Sequence, residues 1–209
     1  MKKKIACLIP VRSNSKRIKN KNIVKINSQP LIKYVCNNIS NSKLINDFFI
    51  ASDDKKIYQK IGNLKKKFKF FKRSQKSAKD NSPTEMVIKE FLENKNNIDI
   101  IILVQITNPF INSKQIDSAL KKFKQNNYSS LLSVVASKNF LWKSKKFTKP
   151  INYNYKKRPR SQNFKKYYVE NGSFYIFYKK NFLKHYNRLY GKIGTYEMPI
   201  KSYFEIDDK

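Results

Sequence analysis

The 209-residue chain is long enough for one sizeable core, and its 40% hydrophobic and 14% aromatic content excludes a disordered polymer. No apolar run approaches the roughly 18–20 residues of a membrane span, so no membrane association is expected. Its 46 Lys and Arg against 14 Asp and Glu leave a net charge of +32, which invites a nucleic-acid reading. The excess is mostly lysine, spread over the whole length with Asn and Ile rather than gathered as Arg on one groove-reading helix. That spread points to composition bias, and no specific nucleic-acid partner is expected.

Ile5-Ala6-Cys7-Leu8-Ile9 is a continuous apolar run, the pattern of a strand buried on both faces. Pro10 removes a ladder donor and ends it. The run is too short, and too soon broken by Pro10 and Arg12, for a signal peptide. A polar, cationic loop follows, with Arg12, Lys16, Arg17, Lys19 and Lys21 among Ser and Asn. Backbone N–H groups and cations beyond the carboxyl end of a buried strand form the setting in which open α/β sheets bind phosphorylated ligands. Cys7 and Cys36 fall in predicted core elements, which predicts reduced thiols and a cytoplasmic protein.

From Pro30 to Ser40, Leu31, Ile32, Val35, Cys36 and Ile39 form a helical stripe. Ile45 to Ala51 reads as a strand ending at Ser52-Asp53-Asp54, and a lysine-rich helix is predicted from Asp54 to Lys66. Phe68 to Phe71 is a short strand leading into Arg73. Asp80 to Glu85 is turn and helix-start chemistry, and Met86 to Phe91 carries the helix. Ile98 to Gln105 is the most apolar segment and the expected central strand. Ser113 to Gln125 reads as a capped helix and Leu131 to Ala136 as a strand. This alternation predicts an α/β fold with a doubly wound, mainly parallel sheet. From Lys138 to Val169 the pattern fails, leaving a basic, aromatic stretch too long for an ordinary connection. Regularity returns in a strand from Ser173 to Tyr178, a helix from Asn181 to Tyr186, and strands at Gly194–Met198 and Tyr203–Ile206. No internal repeat or domain boundary is evident, so residues 1–209 read as a single domain.

The first loop, through Asn22, resembles the signature of the acylneuraminate cytidylyltransferases (CMP-sialic acid synthetases), roughly I-P-A-R-x-x-S-K-x-(I/L)-x-x-K-N. Arg12, Ser15, Lys16, Ile18, Lys21 and Asn22 fall in register. Many relatives carry glycine where this chain has Asn14 and Arg17. Further blocks match in order: Ser52-Asp53-Asp54; Arg73 with Asp80 and Thr84; Leu103 to Pro109; Arg158-Pro159-Arg160-Ser161-Gln162; Glu170-Asn171-Gly172-Ser173-Phe174-Tyr175; and Glu205-Ile206-Asp207. The likeness covers essentially the whole chain. Ser161 replaces a second arginine of the basic block, and Ile111 stands where relatives often carry Arg.

The resemblance implies a Rossmann-like nucleotidyltransferase that moves CMP from CTP to the anomeric hydroxyl of a nonulosonic (sialic-type) sugar acid. On that basis Arg12, Ser15, Lys16, Lys21, Asn22, Arg73 and Thr84 are nucleotide-binding residues, and Arg12, Lys21 and Arg160 act on the reacting phosphate. Gln105, Arg160, Gln162, Asn171 and Tyr175 meet the sugar acid. Glu205 and Asp207, two apart on the predicted last strand, hold Mg²⁺ or Mn²⁺. The resemblance also makes residues 138–169 a dimerisation arm of a homodimer. The competing readings are a 3-deoxy-manno-octulosonate cytidylyltransferase, expected to end its first loop differently from Lys21-Asn22, and a basic nucleic-acid-binding protein. His185, the single histidine, reads as structural.

Overall fold

Ile5 to Ile9 have no more than 2% of their surface exposed, because helices cover both faces of the strand they form. The computed structural model describes residues 3–13, 18, 20–144 and 147–206. In chain order the strands are β1 (Ile5–Pro10), β2 (Lys25–Ile26), β3 (Gln29–Pro30), β4 (Asp47–Ser52), β5 (Phe68–Lys72), β6 (Ile100–Val104), β7 (Ser130–Ser137), β8 (Trp142–Lys143), β9 (Lys149–Pro150), β10 (Tyr167–Tyr178) and β11 (Ile193–Met198). The helices are α1 (Leu31–Ile39), α2 (Lys55–Gln59), α3 (Gln75–Ala78), α4 (Thr84–Glu93), α5 (Ser113–Gln125) and α6 (Lys179–His185).

Seven strands make one sheet in the order β11-β7-β10-β6-β1-β4-β5, and β2-β3 and β8-β9 are separate hairpins. Every pairing in the main sheet is parallel except those of β10, which runs antiparallel to both β6 and β7. Successive side chains of a strand point to opposite faces. Ile5, Cys7 and Ile9 therefore pack with Leu31, Val35 and Cys36 of α1 and Ile116, Leu120 and Phe123 of α5. Ala6 and Leu8 pack on the other face with Val87, Ile88 and Phe91 of α4 and Phe182 of α6. The expected doubly wound sheet is thus present. Cys7 and Cys36 are free and buried in the first of these layers, and burial pushes both thiols up.

Three local expectations are corrected. The lysine-rich helix stops at Gln59 and continues as a 3-10 turn over Gly62–Lys66, with Gly62 at φ +61. Tyr203–Ile206 is not a strand: Ile200–Tyr203 is a 3-10 turn after Pro199, and the segment touches its neighbour through one backbone bond, Ile206 N–H to the Thr107 carbonyl at 2.8 Å. The irregular stretch after Lys138 also ends sooner than its pattern indicates, since β10 begins at Tyr167. Its register against β7 shifts between Glu170 and Tyr175, where Gly172 takes φ +61, and that irregularity hides the period-2 signal.

Within the arm, Phe140 packs on Tyr153 and Phe164, with ring centres 4.6 Å apart in each case, and the Arg158 guanidinium lies 4.4 Å above Phe140. Trp142, Phe147, Ile151, Tyr155 and Tyr168 remain exposed.

Phe91 is fully buried, its ring set edge-on to Phe49 at 4.9 Å and to Phe71 at 5.2 Å. Phe91→Ala is expected to lose about 3–5 kcal/mol of stability through the cavity it leaves, read from the urea midpoint at unchanged slope.

Candidate active site

After β1 the chain moves to β4 and β5 on one side, then crosses to β6 on the other. The carboxyl ends of β1 and β6 therefore open onto a topological switch point, where ligands of such sheets bind. A cavity of about 360 Å³ lies there. Pro10, Val11 and Arg12 line it from the end of β1 and just beyond, Gln105, Ile106 and Thr107 from the segment after β6, and Thr84 and Val87 from α4. Lys21, Asn22, Arg73, Lys79, Asp80, Ser82 and Glu205 complete the wall.

The first loop is held by its neighbours. Val11 N–H donates to the Ala51 carbonyl at 2.9 Å, and Ser13 N–H to Asp53 Oδ1 at 2.9 Å. Asn22 Nδ2 donates to the Arg12 carbonyl at 2.6 Å, which engages part of its donor capacity within the protein. The Arg12 guanidinium reaches across to Asp80, with Nη1 2.7 Å from Oδ1 and both side chains about one-third exposed. Arg73 is buried and donates to the carbonyl and Oγ of Ser77. Burial lowers its pKa, the carboxylates of Asp53 and Glu90 oppose that, and the nearby Arg12 adds to it. The cavity thus concentrates cations and tethers them with a few carboxylates.

Glu205 enters from the last turn. Asn108, fully buried, donates from Nδ2 to the Ser202 carbonyl at 2.7 Å and to the Asn171 carbonyl at 3.2 Å. Asn171 Nδ2 donates to the same Ser202 carbonyl at 3.1 Å. These bonds fasten the terminal turn to β10, and Thr107 Oγ1 donates to Glu205 Oε2 at 3.2 Å. Gly172 allows the close approach. A Cβ there would lie 2.7 Å from Glu205 Oε1 and 3.0 Å from Gln105 Oε1.

Of the residues singled out in the sequence, Arg12, Lys21, Asn22, Arg73, Thr84, Gln105 and Glu205 meet in this cavity. Ser15, Lys16 and Asp207 lie outside the described residues. Arg160 and Gln162 are exposed on the arm, away from the wall described here. Asn171 is buried with its carboxamide engaged in scaffolding. Tyr175 is buried too, and its hydroxyl donates to Glu170. Burial raises the Tyr175 pKa first, and that hydrogen bond raises it further. Asp80, matched in the sequence together with Arg73 and Thr84, lines the cavity, and so do Ser82, which reads only as turn chemistry, and Lys79, which the sequence does not single out. Ile111 is fully buried, which explains an apolar residue where relatives often carry Arg. His185 stacks flat on Tyr190, ring centres 3.5 Å apart.

The donors fit a hard divalent cation, which takes one or two carboxylates together with phosphate oxygens and water. Glu205 is a cavity-lining carboxylate, and no group of three or more His, Cys, Asp or Glu placed to hold a metal occurs among the described residues. An all-protein metal cage is therefore not what the described residues build.

Gly172→Ala is expected to destabilise the fold by at least about 1–2 kcal/mol from the positive φ alone. It should also push Glu205 and Gln105 apart. Thermal unfolding reads the first effect and a crystal structure of the variant the second; an unmoved Glu205 would contradict the packing described.

Comparison with known proteins accords with this geometry. The family described as cytidylyltransferase matches residues 6–207. N-acylneuraminate cytidylyltransferase A of Danio rerio is 33% identical over 97% of this chain and 48% of its own length. The chain thus spans about half the length of that relative. Pseudaminic acid cytidylyltransferase of Campylobacter jejuni is 29% identical over 85% of this chain and 80% of its own length. Among solved structures, a CMP:2-keto-3-deoxy-manno-octonic acid synthetase complexed with CTP superposes with a TM-score of 0.68. It is 18% identical and covers 93% of this chain and 90% of its own, a likeness of fold. A buried strand opening onto a cation-lined cavity at the switch point, with the motifs in order around it, agrees with these matches: the chain belongs to the cytidylyltransferase family.

Proposed function

We propose that this protein transfers CMP from CTP to the anomeric hydroxyl of an N-acylneuraminate-like nonulosonic acid. The observation that carries this reading is the meeting of Arg12, Lys21, Asn22, Arg73, Thr84, Gln105 and Glu205 in one cavity at the carboxyl ends of β1 and β6. The relatives named for N-acylneuraminate and pseudaminic acid support the choice of acceptor class.

In the reaction the anomeric hydroxyl oxygen attacks the α-phosphorus in line, and its proton passes to water. The bond from that phosphorus to the bridging oxygen breaks, and pyrophosphate leaves with the bond's electrons. Charge spreads over the phosphoryl oxygens, so positioned cations do most of the work. Arg12 offers a planar fork to two oxygens and Lys21 a point charge. Phosphate entering the cavity takes the place of the Asp80 carboxylate on Arg12. Arg73 and Thr84 face the cytidine, and Gln105 faces the acceptor. Glu205 and Asp207 would hold Mg²⁺ or Mn²⁺, which when bound neutralises triphosphate oxygens. Tyr175 and Asn171 form the wall behind the acceptor, and Arg160 and Gln162 reach an acceptor site from the arm of a second subunit.

Pyrophosphate release from CTP, with and without Mg²⁺, against N-acetylneuraminate, pseudaminate and 3-deoxy-manno-octulosonate tests the reading. Release with the octulosonate alone would replace the acceptor, and none with any sugar would remove the activity. Arg12→Ala is expected to stay folded and to cost ~3–4 kcal/mol of transition-state stabilisation, similar to the loss of one oxyanion donor. Wild-type turnover by that variant would take the first loop out of the mechanism.

The exposed arm side chains Trp142, Phe147, Ile151, Tyr155 and Tyr168 support a homodimer in which the arm crosses to its partner. Light scattering over a salt series is expected to show a dimer that tightens as salt screens the +32 charge. A high-salt monomer with full turnover would rule out a shared site.

A further inference from the structure

Beside the cavity wall, one arginine meets a carboxylate and an aromatic face in an arrangement that phosphate chemistry does not use. Arg188 lies in the turn after α6, with Nε 3.1 Å from Glu85 Oε1. Its guanidinium carbon sits 4.6 Å from the centre of the Tyr175 ring. The Tyr175 hydroxyl in turn donates to Glu170. Arg188 Nη1 is enclosed without a hydrogen-bond partner among the described residues, while the side chain as a whole remains 23% exposed. A buried guanidinium N–H left unpaired is costly, and such groups in folded proteins call for an explanation.

The position of the cluster supplies one. Glu85 follows Thr84, which lines the cavity, and Tyr175 pairs across the sheet with Leu103, two residues before Gln105. Gly172, two residues after Glu170, lies where a Cβ would come within 2.7 Å of Glu205 Oε1 and 3.0 Å of Gln105 Oε1, so the cluster borders the side of the cavity those two residues line. The cations Arg12, Lys21, Arg73 and Lys79 belong to the cavity itself. Cationic side chains thus line the cavity itself, and a guanidinium paired with the Glu85 carboxylate stands beside it.

Resting on the reading of this chain as a CMP transferase, we propose that Arg188 is a specificity-determining residue for the acceptor sugar. It reads a neutral acylamino substituent: the carbonyl oxygen accepts from the Arg188 guanidinium, and the amide N–H donates to Glu170. Glu85 pairs with the guanidinium, and Glu170 stands at the hydroxyl of the ring that the guanidinium covers, so a second carboxylate on the ligand would be repelled, whereas a neutral group with one acceptor and one donor complements Arg188 and Glu170. The partial exposure of the side chain gives an entering oxygen access, and a turn of the guanidinium brings Nη1 to it. The Glu85 ion pair and the Tyr175 face limit that turn, so the position of the substituent is fixed as well as its chemistry.

The test is steady-state pyrophosphate release by wild type, Arg188→Met and Arg188→Lys. The acceptors are N-acetylneuraminate and its counterpart with a hydroxyl in place of the acylamino group. Wild type is expected to favour the acylamino acceptor. Arg188→Met should raise KM for that acceptor roughly 10- to 100-fold, the loss expected for a hydrogen bond to a charged group, and leave KM for CTP unchanged. It should also erase the preference between the two acceptors, and Arg188→Lys should restore part of it. An unchanged acceptor KM in Arg188→Met overturns the inference. So does a rise in both KM values together with a lowered melting temperature, because that result assigns Arg188 to structure alone. Absence of turnover by wild type with either acceptor removes the transferase reading and this inference with it, a result visible before any variant is made.

Discussion

The enclosure of β1 on both faces is the constraint from which the rest of the architecture follows. A strand whose alternate side chains must each find an apolar partner needs helices above and below it. Here α1 and α5 supply one layer and α4 and α6 the other. With both faces covered, the strand meets solvent only at its ends, and Pro10 closes the carboxyl end. Arg12 then emerges at the point where the chain has turned one way to β4 and must later return to β6. The cavity is a consequence of that winding, and its position does not depend on the chemistry of any one lining residue.

Charge is organised within that frame by scarcity. Carboxylates number 14 against 46 basic side chains, and several of them surround the cavity. Asp80 pairs with Arg12, Asp53 and Glu90 act on Arg73, and Glu85 pairs with Arg188. Asp80 and Glu85 tether the guanidinium groups they pair with, so Arg12, among the cations lining the cavity, has a fixed position. The field of the surface excess of lysine, by contrast, is screened by salt.

The terminal turn shows how a single acidic side chain is brought in from far along the chain. Asn108 and Asn171 both donate to the Ser202 carbonyl, and Ile206 N–H donates to Thr107. Gly172, with no Cβ, leaves space for Glu205 and Gln105 to lie close against its backbone. The Asn171 carboxamide acts here as scaffold, which a motif match cannot distinguish from ligand binding because both uses need the same buried amide.

The sequence by itself determined the elements whose signal is local. The two-faced strand at Ile5–Ile9, the helix at Ser113–Gln125 with its Asn112–Gln115 capping box, and the basic loop after Pro10 are legible because burial pattern and capping chemistry act within a few residues. Seven of the residues that converge on the cavity are named through the resemblance of their motifs to a known family, not through local pattern. Tertiary structure decided what local pattern cannot encode. β10 lies antiparallel between β6 and β7, the lysine-rich helix breaks at Gly62, and Tyr203–Ile206 forms a turn and a single backbone bond where alternation predicts a strand. It also decided that Arg188 stacks on Tyr175 beside Glu85, a meeting of residues about 100 positions apart along the chain. Such encounters depend on how the layers close over the sheet, and side-chain periodicity carries no record of that closure.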